Sequence, residues 1–68
     1  MIKTAIGFND VKQKDIIEVT IHDDRRQWRV SGWYEIAGKA CLGLVEVGGE
    51  LWVMLQEKYA ENIERVTE

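Results

Sequence analysis

Cysteine and histidine are nearly missing from this chain: Cys41 and His22 stand alone among 68 residues. A single cysteine excludes an internal disulfide, and no Cys/His cluster has zinc spacing. Both staples that small domains usually rely on are therefore absent, which leaves self-association as the expected support. Positive charge is also short. Nine basic residues face twelve acidic ones, for a net charge of -3. A phosphate-binding surface needs the opposite balance, so duplex nucleic acid is not an expected partner. No apolar run approaches a membrane span. Met1-Ile2-Lys3 is not followed by the apolar stretch of a signal peptide. With 46% hydrophobic and 31% charged residues, the composition is that of a globular single domain, and the lone cysteine without a targeting signal predicts a cytoplasmic protein.

What is present is a series of strand patterns. Residues 1–10 have little period, and predict a loose N-terminal arm or a short edge strand ahead of one domain over 11–68. Ile17, Val19 and Ile21 share one face of a strand, with Glu18, Thr20 and His22 on the other. Ile16 falls on the polar face and breaks the pattern. A charged connection, His22-Asp23-Asp24-Arg25-Arg26, leads into the aromatic stretch Trp28–Ile36. Simple alternation puts Trp28, Val30, Tyr34 and Ile36 on one face, and Arg29, Ser31, Trp33 and Glu35 on the other. Gly32 marks a bend where the strand turns a corner. Ala37-Gly38-Lys39 reads as a tight turn.

From Ala40 to Val47 almost every residue is apolar, so the turn must set the faces. Gly48-Gly49 predicts a two-residue hairpin with positive φ at both glycines. Val45 then faces Trp52 and Gly43 faces Met54. Leu42, Leu44, Leu51, Val53 and Leu55 share one face; Cys41, Val45, Val47, Trp52 and Met54 share the other. Beyond Gln56 two readings compete: a C-terminal helix with the stripe Leu55, Tyr59, Ile63, Val66, or a helical turn at 57–62 and a strand at 63–67. The second is favoured. The predicted fold is all-β, a small SH3-like barrel of about five strands with one short helical turn near the C-terminus; the alternative is a β-sheet with a C-terminal helix.

Gly32-Trp33-Tyr34 in one strand, an apolar hairpin, and a close with Ile63-Glu64-Arg65-Val66 together resemble the plasmid-encoded, trimethoprim-insensitive type II dihydrofolate reductases. The resemblance spans roughly residues 28–66. It implies an SH3-like barrel that assembles as a tetramer around a central pore, where NADPH and dihydrofolate meet. The family's pore strand reads Val-Gln-Ile-Tyr. Gln56 matches its glutamine, but Glu57 and Lys58 follow in place of isoleucine and tyrosine. Val19 stands where the family has a ligand-attracting lysine. NADPH is thus an expected cofactor only if the reductase reading holds; otherwise none is expected.

Four groups are candidate sites. His22 with Asp23 and Asp24 has no standard metal or acid-base spacing and reads as a solvated loop. Cys41 has no evident base to activate it. Arg25, Arg26 and Arg29 beside Trp28 form a basic-aromatic patch for an anion, an acidic peptide or single-stranded nucleic acid. Opposed to this is a solvated loop whose arginines pair with Asp23, Asp24 and Glu35, which is the favoured reading. Trp33, Val45, Val47, Trp52 and Met54 form an outward apolar surface, more than one barrel interior can absorb. The leading expectation is a non-enzymatic module that self-associates as a dimer or tetramer and binds a protein or small-molecule partner. A type II reductase and a nucleic-acid-associated barrel are the alternatives.

Overall fold

The computed structural model describes residues 1–68. Six strands form one antiparallel sheet: β1 (Ile2–Ala5), β2 (Ile16–Ile21), β3 (Asp24–Ile36), β4 (Lys39–Glu46), β5 (Trp52–Gln56) and β6 (Glu61–Thr67). Their order is β1-β6-β2-β3-β4-β5, and no ladder joins the outer strands β1 and β5. Two short 3-10 turns, Phe8–Asp10 and Glu57–Tyr59, are the only helical pieces. Of the two readings of the first ten residues, the edge strand forms, because Ile2–Ala5 pair with Glu64–Thr67. The C-terminal helix does not form. β6 lies between β1 and β2, bonded on both sides, and Ile63 is turned into the core.

The buried apolar side chains, Cys41 apart, gather on one face of the sheet. Phe8, Val11, Ile17, Val19, Trp28, Val30, Leu42, Leu44, Leu55 and Ile63 make a single cluster. It draws on every strand from β6 to β5. Alternation accounts for β2 and for Leu42, Leu44 and Leu55. Leu51 is the exception, exposed beyond the last ladder residue of β5.

The aromatic strand departs from simple alternation. Val30 pairs with Leu44 but Gly32 pairs with Gly43, so Ser31 is an extra residue in β3. Such a bulge inverts every side chain beyond it. Trp28 and Val30 therefore point inward, whereas after the bulge it is Trp33 that joins the inner row, opposite Leu42, and Tyr34 that turns outward, opposite Cys41. Trp33 thus shares the face of Leu42 yet keeps 38% of its surface exposed, and the expected inward placement of Tyr34 and Ile36 is corrected. Local chemistry holds the bulge. The Ser31 hydroxyl donates to the Gly43 carbonyl at 3.2 Å, and the Gln13 amide donates to the Ser31 carbonyl at 3.1 Å. The Trp33 indole N–H donates to the Val11 carbonyl at 2.9 Å, and Phe8 meets the Trp33 ring edge-on, centroids 5.2 Å apart.

The tight turn expected at Ala37-Gly38-Lys39 forms, whereas the one expected at Gly48-Gly49 takes another shape. His22-Asp23 and Ala37-Gly38 are the tight two-residue loops, with positive φ at both positions of each. That backbone matches the twist of the flanking strands. Gly48-Gly49 is not such a loop, because only Gly48 has positive φ. Glu46 N–H still donates to Leu51 C=O at 2.8 Å, so residues 47–50 form a wider loop. One residue added on each side leaves the register unchanged, and Val45 does face Trp52.

Candidate functional site

Cross-strand partners share a face, so the ladders map the outer surface directly. One row runs from Lys3 through Val66, Ile16, Arg29 and Val45 to Trp52. The next rows toward the end of β3 hold Gly32, Gly43 and Met54, then Tyr34, Cys41 and Gln56. Trp52 is 53% exposed and Tyr34 44%, while Val45 and Met54 are half-buried. Val47 is exposed in the wide loop, and Cys41 is buried. The outer face of β3–β4–β5 is thus apolar, with Arg29 its one charged member in these rows. Arg29 makes no ion pair, unlike Arg25 and Arg26.

The two glycines shape this surface. A Cβ on Gly43 would lie 2.5 Å from Tyr34 Cε2 and 2.6 Å from Ser31 Oγ. The missing side chain is what lets the Tyr34 ring lie across the sheet. Tyr34 was not legible as an outer-face residue, because only the bulge turns it there. Ile16 was legible: its place on the polar side of β2 is the anomaly in that strand's pattern, and it sits half-buried beside Arg29 and Val66.

The other half of the outer face is polar and internally paired. Arg25 donates from Nε to Glu18 at 2.8 Å, from Nη1 to Thr20 Oγ1 and the Asn62 carbonyl, both at 3.0 Å, and from Nη2 to Glu64. Lys3 Nζ adds a contact to Glu18 at 3.2 Å. The hydrogen bond from Arg25, helped by those from Lys3 and Gln27, holds the Glu18 carboxyl below the usual range against the opposing effect of burial. Burial pulls the Arg25 guanidinium down, but its bonds to Glu18 and Glu64 outweigh that and raise it. Arg26 pairs with Glu46 at 2.6 Å and Asp24 at 2.8 Å, which raises it as well.

These pairings bear on the proposed basic patch. Arg25 and Arg29 stand on the outer face, but Arg26 pairs with Val19 in register and so belongs to the inner one. The three do not converge. Of the acidic partners expected for them, only Asp24 is used; Glu18, Glu46 and Glu64 supply the rest. His22 stacks obliquely on Tyr59, centroids 5.5 Å apart, and no group of three or more His, Cys, Asp or Glu residues is placed to hold a metal. Gln56 borders a cleft of about 320 Å³ that Phe8, Lys39 and Lys58 also line. No helix is long and apolar enough to cross a membrane.

No family model, curated protein or solved structure matches the chain.

Proposed function

We propose that this chain is an SH3-like, cytoplasmic, non-enzymatic module that acts by self-association through the outer face of β3, β4 and β5. The observation that carries this reading is the row Arg29–Val45–Trp52 beside Met54 and Tyr34, an apolar surface without a partner inside the subunit. The strand order supports the SH3-like assignment. Four strands run β2 to β5 as consecutive hairpins, a 3-10 turn follows, and the last strand returns to pair with β2.

Magnitudes favour association over a bare surface. A tryptophan offers about 150–250 Å², of which roughly half is exposed here, and burial is worth about 25 cal/mol per Å². Two such side chains would contribute about 5 kcal/mol before the cost of association. That is of the order of the whole stability of so small a domain. The test is the mass in solution at micromolar concentration by light scattering. A dimer or tetramer is the expected result, with dissociation in Trp52→Glu and none in Arg26→Gln, which lies on the other face. A folded wild-type monomer would refute the reading.

The alternative is the type II reductase activity that the resemblance implies. One observation favours it: Gln56, the single matched pore residue, borders a cleft where Lys39 and Lys58 outnumber the one carboxylate, Glu57, and both NADPH and dihydrofolate are anionic. Hydride transfer needs both ligands held in reacting geometry. Dihydrofolate-dependent oxidation of NADPH, abolished by Gln56→Ala, would establish this reading in place of the first. Association with nucleic acid is the weakest reading, because Arg25 and Arg26 are already paired with carboxylates.

A further inference from the structure

β5 is an edge strand without the usual defences. Edge strands are ordinarily blunted by a charge, a proline, a bulge or a covering segment, because their free N–H and C=O groups template pairing with another chain. Trp52-Val53-Met54-Leu55-Gln56 carries no charge and no proline, and its ladder with β4 runs without a register shift. The opposite edge differs, since β1 carries Lys3, which is ion-paired to Glu18.

The direction of the free groups follows from the ladder. In an antiparallel pair, residues alternate between bonding their partner strand and facing away. Glu46 N–H donates to Leu51 C=O, which places Leu44–Val53 and Leu42–Leu55 among the bonded pairs. The N–H groups of Trp52, Met54 and Gln56 therefore point out of the sheet. So do the carbonyls of Trp52 and Met54; that of Gln56 opens the 3-10 turn at Glu57–Tyr59. None of these groups takes part in any other backbone bond outside the ladders.

The geometry points to β5 pairing antiparallel with β5 of a second copy about a twofold axis through Met54. This rests on the self-association reading above, with the edge of β5 rather than the open face of the sheet as the contact. Met54 faces Met54, and Trp52 of each copy faces Gln56 of the other. Four backbone bonds form: Met54 N–H to Met54 C=O in both directions, and Gln56 N–H to Trp52 C=O in both directions. A second copy fits for three reasons. A twofold makes one strand its own complement. An uncharged strand lets two chains of net charge -3 approach at their uncharged edges. The joined sheet also continues the apolar row, so Trp52 and Met54 of both copies meet on one surface.

Cysteine cross-linking tests the register, in a Cys41→Ala background. Directly bonded partners have Cα atoms about 5.5 Å apart, within the span a disulfide bridges. Met54→Cys should oxidise to a covalent dimer, while Trp52→Cys, four positions from its own symmetry mate, should not. Met54→Pro should remain folded, since its N–H is outside the β4 ladder. It removes two of the four bonds and should weaken association by at least about 30-fold. A dimer whose Met54→Cys form does not cross-link, or cross-links no better than Trp52→Cys, overturns the edge pairing and leaves association by the open face. A wild-type monomer overturns both.

Discussion

The two halves of the outer surface share one backbone and have opposite chemistry. Across β1, β6, β2 and the start of β3, Arg25 links Glu18, Thr20, Asn62 and Glu64, and Lys3 closes on Glu18. The charges of Lys3, Glu18, Arg25 and Glu64 are all paired there within the subunit. Across the end of β3, β4 and β5, the rows carry Trp52, Val45, Met54 and Tyr34, and the outer strand has no charge. The first half pairs its charges internally; the second leaves large apolar side chains exposed. A sheet face need not be apolar to be ordered, and one that is apolar and exposed is better read as an interface than as a stabilising feature.

The sharpest way to break that contrast is to exchange the consequences of the two halves. Arg25→Met should cost about 2 kcal/mol of stability. The loss stays that small because the guanidinium is about a third exposed. Its removal leaves Glu18 and Glu64 as direct cross-strand partners with like charge. A second change, Glu64→Gln, should recover part of the loss. Trp52→Ala should do the reverse, leaving the subunit's own stability within about 0.5 kcal/mol and abolishing assembly. Urea unfolding at several protein concentrations separates the two, because only assembly makes the midpoint concentration-dependent.

Gly43 sharpens the comparison with a smaller effect. Gly43→Ala introduces a Cβ that meets Tyr34 and Ser31, both side chains able to shift. Overpacking of this kind should cost about 1 kcal/mol. The loss should shrink when Tyr34→Leu is already present, and that non-additivity, read from a double-mutant cycle, is the sign that the ring and the glycine are one unit.

The polar half was partly legible in the sequence and the apolar half more so, for reasons that particular residues show. β2 alternates from Ile17 onward, so Ile17 and Val19 could be placed inside. Val45 could be set opposite Trp52 because a hairpin loop lengthened evenly keeps its register, even though Gly49 lacks the expected positive φ. The final strand was readable because Ile63 suits a strand as well as a helix, and pairing with β2 decides for the strand. Trp33 and Tyr34 were misplaced because one inserted residue, Ser31, exchanges their faces, and a bulge depends on Gln13 and Gly43, distant in sequence. Arg25 could not be matched to Glu64 from sequence, since 39 positions separate them.

The smallest expected effect is the dependence of stability on acid, and it belongs to one half alone. The Glu18 carboxyl lies below its ordinary value in the folded chain, chiefly because Arg25 donates to it. An unfolded glutamate titrates near 4.3. Between the two values the unfolded chain binds more protons, so folding loses stability as the pH falls. The contribution is complete above about pH 5, declines through the ordinary glutamate range, and is gone once the pH passes the lowered value. Glu18→Gln should flatten that acid limb and lower stability at neutral pH, where the Arg25 bond is strongest. β5 has no titrating side chain, so Trp52→Ala should leave the subunit's acid limb as steep as in the parent. Urea midpoints from pH 3 to 7, taken at low protein concentration, decide it. An acid limb that Glu18→Gln leaves unchanged would refute the assignment of the acid sensitivity to Glu18.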